Sequence, residues 1–269
     1  MPWLSLLIGN TRLHWAKFEQ DALVEAWNQP HLALSYSRPC DTGGAEAIAT
    51  VPDTVLATVP SRHRALVKDK RLWLASVVPQ QIHPWKTYCQ PPIDLGDVPL
   101  QGTYPTLGID RALALWGAGQ RYGFPALVID GGTALTYTGA DGTQTLVGGA
   151  ILPGLGLQLR SLHQSTGLLP LTDLTPDHAS DRAPEQAINR WAMTTQGAIA
   201  SGVLHSAIAG VESFLTDWWR QYPTSAVLFT GGDGRLLRRY LPSETRRQTQ
   251  HDPHLGFWGL QQVRQALIR

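Results

Sequence analysis

One pattern occurs twice in this chain and constrains its fold more than any other feature. An apolar run ends in a Gly/Thr turn and then resumes as a hairpin. The first copy runs Leu4 to Ile8, turns at Gly9-Asn10-Thr11, and continues through Arg12 to Phe18 and Leu23 to Trp27. The second runs Ala126 to Ile129, turns at Asp130-Gly131-Gly132-Thr133, continues Leu135 to Thr138, bends at Gly139-Ala140-Asp141-Gly142, and returns over Thr145 to Ile151. Short apolar runs bounded by Gly-rich turns read as strands. Two such meanders in one chain predict a duplicated α/β unit with a cleft between the copies.

The rest of the chain fits that frame. Val55 to Val59 and Leu72 to Val78 read as further strands, with a short crossover helix over Ser61 to Lys70. Pro79 to Pro105 is rich in Pro, Gln and Gly and reads as an irregular connection, whose length points to function. Helices are expected over Asp110–Gln120, Leu155–Gln164, Pro184–Trp219 with a break, and Leu255–Ile268. Ala226 to Phe229 reads as a strand entering Thr230-Gly231-Gly232.

Composition removes several function classes. The 269 residues are 43% hydrophobic and 16% charged, enough to bury a core. The formal net charge is +1, so no basic field exists to hold nucleic acid or an anionic membrane. Cys40 and Cys89 are far apart and lack metal spacing. The apolar start, Met1 to Ile8, is short and has no basic segment before it, so it reads as a buried strand. No stretch reads as the roughly 20 apolar residues a membrane helix needs. A reducing, cytoplasmic setting is expected.

Four segments carry candidate chemistry. Gly9-Asn10-Thr11 lets backbone approach a phosphate, with Asn and Thr side chains as donors, or is an ordinary hairpin turn. Asp130-Gly131-Gly132-Thr133 can hold a hard cation and a phosphate, or is an Asx-type turn. Thr230-Gly231-Gly232 can let a flat base lie on the backbone, or opens a helix capped by Asp233. Gly108-Ile109-Asp110-Arg111 puts a carboxylate beside a guanidinium, a base and an anion clamp, or is an acidic helix start. The Walker A and GxGxxG patterns are absent. His251 and His254 form an HxxH without flanking ligands, and the ten tryptophans read as core or interface. These residues alone reach a two-lobed α/β phosphate-binding enzyme.

Taken in order, these segments resemble the type III pantothenate kinase family of the actin/hexokinase-like ATPase superfamily. Gly148-Gly149-Ala150-Ile151-Leu152-Pro153-Gly154, Thr166-Gly167-Leu168-Leu169-Pro170 and Thr195 to Gly202 extend the resemblance over nearly the whole chain, as a divergent branch. The resemblance implies two ribonuclease H-like domains, 1–115 and 116–269, with an interdomain cleft. It implies ATP-dependent phosphorylation of pantothenate, the first step of coenzyme A biosynthesis. Asp110 then matches the catalytic base. Tyr104, Gly108, Ile109, Arg111 and Thr195 match substrate-binding positions, with Arg111 toward the pantothenate carboxylate. Ile8, Gly9, Asn10, Thr11, Arg12, Thr133, Gly231 and Gly232 match ATP-binding positions. Asp130 matches the ligand of a monovalent cation, K⁺ or NH₄⁺, with Mg²⁺ accompanying ATP. Family members are usually homodimers.

One position departs from the family pattern. Two residues before Gly9 the family has an aspartate, and this chain has Leu7. A charge is thereby missing where Mg²⁺ would be held. That leaves two other readings open: a non-catalytic relative of the same fold, and a kinase acting on a sugar or N-acyl sugar.

Overall fold

The computed structural model describes residues 1–32, 52–174 and 188–269. The chain divides into two compact units. One comprises 1–99, 105–113 and 260–269, and the other 100–104 and 114–259.

The first unit is built on a four-stranded sheet of β1 (Pro2–Ile8), β2 (Arg12–Glu19), β3 (Ala22–Pro30) and β4 (Leu72–Ser76). Their order is β3-β2-β1-β4, antiparallel except for the parallel β1–β4 pair. Alternation sorts the side chains. Leu4, Leu6, Ile8, Leu13 and Trp15 enter one core with Leu72, Leu74 and Trp85. Trp15 stacks on Trp27 at 5.7 Å and meets Trp85 edge-on at 5.1 Å. On the other face Arg264 lies 4.5 Å over the Trp3 ring. Arg264 comes from α8 (Leu255–Leu267), a helix whose residues from 260 onward belong to this unit.

The segment expected as a strand at Val55–Val59 is instead helix α1 (Pro52–Thr58). Val55, Leu56 and Val59 are all buried in the same core. Their spacing of one and then three residues puts them on one helical face, which a short apolar run cannot distinguish from a strand. Pro52 at the first helical position suits its missing N–H. The Ser61–Lys70 crossover contains a 3₁₀ turn, Ser61–His63, followed by α2 (Arg64–Lys68). The long connection after β4 carries three 3₁₀ turns between residues 79 and 97 and otherwise stays irregular. Cys40 and the proposed helix start at 184–187 lie outside the described residues.

The second unit repeats the plan. β5 (Ala126–Gly131), β6 (Ala134–Ala140), β7 (Leu146–Pro153), β8 (Ala226–Thr230) and β9 (Gln250–His251) form one sheet. Its order is β7-β6-β5-β8-β9, with β5–β8 parallel where the first unit has β1–β4. The duplicated meander expected from sequence is therefore real: both units place a strand, its two hairpin partners and one parallel crossover strand in the same order. The helices are α3 (Ile109–Tyr122), α4 (Leu155–Gln164), α5 (Thr195–Gln221), α6 (Gly234–Tyr240) and α7 (Ser243–Arg247). Residues 109–113 of α3 belong to the first unit.

Helix α5 corrects the reading that no stretch could cross a membrane. By length and composition its 27 residues meet that test, with a mean hydropathy of 1.4 over its most apolar window. Its Ala, Val, Ile and Leu residues keep its hydropathy high. Its Val203, Leu204, Ile208, Val211 and Leu215 are buried in the core of the second unit beside Leu127, Ile129 and Phe229, as in a packed core helix. Thr194 caps it by accepting from the Gly197 N–H at 3.1 Å.

Candidate active site

Each unit gathers its candidate residues at the carboxyl ends of its parallel strand pair, where open α/β sheets place ligands.

In the first unit, β1 ends at Ile8 and the chain reverses through Gly9, Asn10 and Thr11 into β2. The Gly9 N–H donates to the Arg12 carbonyl at 3.0 Å, closing the turn. Asn10, Thr11 and Arg12 are exposed. At the neighbouring parallel strand the Val77 N–H donates to the Ile8 carbonyl at 3.0 Å, bringing residue 77 alongside the turn.

Gly108 comes to the same place. A β-carbon built on it would lie 3.9 Å from Val77 and only 2.5 Å from Asp110 Oδ1. The Asp110 carboxylate thus folds back over Gly108, and a glycine there leaves it room. Its Oδ1 accepts from the Arg111 N–H at 2.8 Å. The side chain is half-buried, and desolvation raises its pKa against the opposing effects of that hydrogen bond and of the Arg111 charge. The result is a carboxylate held still and made more basic than an ordinary aspartate, as a proton acceptor needs. Ile109 and Arg111 are buried at the helix start.

Two histidines that motif reading passed over also flank this turn. His31 donates Nε2–H to the Gly9 carbonyl at 2.7 Å, and His14 Nδ1 pairs with Asn28 Oδ1 at 2.7 Å. Leu7, His14 and Asn28 stand directly opposite one another across β1, β2 and β3. The signal for them was register: a three-residue turn at 9–11 pairs residue 7 with residue 14.

In the second unit, Asp130 and Thr230 are paired across β5 and β8. The two Gly turns therefore sit side by side. Gly231 has φ +79°, and a β-carbon on it would lie 2.2 Å from Asp130 Oδ1 and 2.7 Å from the Gly131 carbonyl oxygen. Glycine is required there both by backbone conformation and by the approach of the carboxylate. The Asp233 N–H donates to the Gly131 carbonyl at 2.7 Å, and the Gly154 N–H to the Thr133 carbonyl at 3.0 Å, tying both turns together. The helix after Asp233 starts without a side-chain cap hydrogen bond, which weakens the capping reading of that residue. Gly232 has open space around it and Thr133 is half-buried.

Tyr104 and Thr195 also belong to the second unit. Tyr104 is 40% exposed in the loop that follows Leu100, and Thr195 is the exposed first residue of α5. The backbone geometry gives them no shared turn.

As donor sets, the two units differ. Asp130 and the adjacent Gly131 carbonyl offer hard oxygens suited to a monovalent cation. The first turn contributes no carboxylate of its own: Leu7 stands at its strand and the neighbours are His14, His31 and Arg12. Among the described residues no cluster of three or more His, Cys, Asp or Glu could hold a metal. A protein-held Mg²⁺ therefore does not fit the first turn.

Comparison with known proteins gives consistent results. A family model described as type III pantothenate kinase matches residues 3–217. A type III pantothenate kinase of Nostoc sp. is 42% identical over 269 residues, covering 97% of this chain and 94% of that one. One from Synechococcus elongatus is 38% identical, covering 100% and 98%. Among solved structures, a Baf family protein from Campylobacter jejuni superposes with TM-score 0.60 at 18% identity, over 98% of both chains. The activator of 2-hydroxyisocaproyl-CoA dehydratase from Clostridium difficile, with bound ADPNP, gives 0.50 at 12% identity over 100% and 97%. These structural likenesses speak to the fold, which is that of the actin/hexokinase-like ATPases.

Proposed function

The chain belongs to the type III pantothenate kinase family, and from that premise we propose how its own residues divide the transfer of phosphate from ATP to pantothenate. The observation that carries the assignment is the Asp110 carboxylate: half-buried, made basic by desolvation, and folded over Gly108, which neighbours Val77, the residue hydrogen-bonded to the end of β1.

Asp110 takes the proton of the pantothenate hydroxyl as that oxygen attacks the γ-phosphorus. The bond from γ-phosphorus to the bridging oxygen breaks and ADP leaves. Little covalent help is needed for such a loose transfer, so positioning and charge neutralisation supply most of the rate. The turns at Gly9–Arg12 and Gly131–Thr133 hold phosphate oxygens through backbone N–H groups and the hydroxyls of Thr11 and Thr133. Gly231 and Gly232 leave backbone open for the nucleotide. Arg111 neutralises the pantothenate carboxylate, with Ile109, Tyr104 and Thr195 completing the substrate site.

Asp130 is the residue that would hold K⁺ or NH₄⁺, whose fixed charge would lie close to phosphate. Replacing K⁺ by Na⁺ is expected to lower the steady-state rate several-fold; equal rates in the two salts would remove the cation role of Asp130. Mg²⁺ would enter on the phosphates of ATP rather than on a carboxylate of the first turn. The experiment for the whole reading is ATP-dependent formation of 4′-phosphopantothenate by purified protein, followed by coupled ADP release. Failure with pantothenate and turnover with a sugar would reassign the substrate, and absence of turnover altogether would favour a non-catalytic relative.

The second unit supports a homodimer. Strand β7 is a sheet edge with Val147 46% and Ile151 64% exposed on one face. An apolar edge of this kind is an association surface unless covered. Ile151→Asp is expected to shift the protein from dimer to monomer in sedimentation equilibrium. A wild-type chain that sediments as a monomer would overturn the dimer. We infer a reducing, cytoplasmic setting from the two cysteines, which lack disulfide or metal spacing, and no nucleic-acid partner from the near-neutral charge.

A further inference from the structure

The first turn lacks a carboxylate and is bordered by imidazoles, and the strand register makes that substitution specific. Leu7 on β1 faces His14 on β2, which faces Asn28 on β3. Asn28 Oδ1 accepts from His14 Nδ1, which leaves Nε2 as the ring atom free to act. Nε2 is directed at the turn, 3.2 Å from where a β-carbon on Gly9 would stand. The Gly9 carbonyl is held in turn by His31 Nε2–H at 2.7 Å.

We propose that His14 is a phosphate ligand of the first turn: with nucleotide bound, its Nε2 is protonated and donates to a terminal phosphate oxygen. This rests on the reading of Gly9–Arg12 as a phosphate turn. The charges around His14 favour an anion over a metal ion. Among the described residues, the charged or titratable groups acting on it are Arg12, at the start of its own strand, and His31, beyond β3. The opposing residues are neutral: Asn28 on β3 and Leu7 on β1, with Ala75 of β4 beyond Leu7. With nucleotide bound, Arg12 and a protonated His14 give the turn the positive character that a carboxylate–Mg²⁺ pair would otherwise provide.

The arrangement has a pH signature. Burial holds the His14 imidazole below its usual pKa, Arg12 and His31 add to this, and the Asn28 hydrogen bond opposes it. In free enzyme near pH 7 the ring is neutral. An adjacent phosphate dianion raises its pKa, so binding takes up a proton. Affinity for nucleotide is then highest at low pH and declines as pH rises through the pKa of the bound form.

The test is calorimetric titration of ATP into the intact wild-type protein and into His14→Asn, in buffers of different ionisation heat, between pH 6 and 8.5. Wild-type binding is expected to take up a proton near pH 7. His14→Asn should lose that uptake and bind about tenfold more weakly at pH 6.5, the loss of one charge-assisted hydrogen bond. Thr11→Val separates the two levels of the argument. Weakened binding in Thr11→Val with unchanged affinity and proton uptake in His14→Asn would overturn the role of His14 alone. Unchanged binding in both would overturn the phosphate turn itself. NMR titration of the His14 ring in wild-type protein, with and without ADP, needs no variant. A ring pKa that nucleotide does not raise would also overturn the proposal.

Discussion

Asp110→Asn is expected to lower turnover by roughly 10²–10⁴-fold, the range for loss of a general base, while leaving the KM for ATP within a few-fold of wild type. The substitution is nearly isosteric. The amide oxygen can still accept from the Arg111 N–H that now donates to Oδ1. What is lost is the ability to take a proton. Folding should not suffer. The raised pKa of Asp110 means that its ionised form is disfavoured in the folded state, so neutralising it removes a penalty and the melting temperature should hold or rise. The sign also fixes the acid limb of the wild-type profile. Activity needs the ionised carboxylate and should fall on acidification at a higher pH than an ordinary aspartate would give. Gly108→Ala makes a companion test, because its β-carbon would sit 2.5 Å from Asp110 Oδ1 and displace the carboxylate without removing it. Coupled ADP release reads both variants. Near-wild-type turnover in Asp110→Asn would take this residue out of the mechanism.

Gly231→Ala is expected to destabilise the protein by about 2–4 kcal/mol and to weaken ATP binding strongly. Two costs combine. The residue sits at φ +79°, where a β-carbon is strained, and that carbon would meet Asp130 Oδ1 at 2.2 Å and the Gly131 backbone at 2.7 Å. Backbone cannot yield as a flexible side chain can. The two turns that end β5 and β8 would be forced apart, and Asp130 with them. Thermal unfolding should show a drop on the order of 10 °C. Gly232→Ala is the control, since nothing lies within 4 Å of its β-carbon position. Equal melting temperatures for the two variants would mean that the Asp130–Gly231 packing contributes nothing.

Local pattern carried far in this protein because its signals were redundant. Gly9 and Gly231 are turn residues as expected, since each follows an apolar run and strand ends need special backbone, whereas Asp130 lies inside β5, which runs on to Gly131. Leu155–Gln164 was read to the residue, and Leu255–Leu267 to within one, from helical spacing. Val55–Val59 went wrong for the converse reason. Five residues of apolar sequence suit a buried strand or a buried helix equally, and the packing of Val55, Leu56 and Val59 into the Trp15 core decided it. His14 is marked only by strand register, through its pairing with Leu7 and Asn28, and His31 lies beyond β3 and reaches Gly9 through the fold.

Fold class, the doubled meander, the glycine turns and the carboxylate at 110 were all determined by the sequence itself, because backbone conformation and side-chain periodicity are local properties. Only tertiary structure decided that β1 lies parallel to β4 and β5 to β8, and hence that Val77 meets Ile8 and Gly108 and that Asp130 meets Gly231. It decided likewise that desolvation makes Asp110 basic. Pairing between distant strands and the removal of water from a side chain depend on which surfaces close over it, and no window of neighbouring residues contains that information.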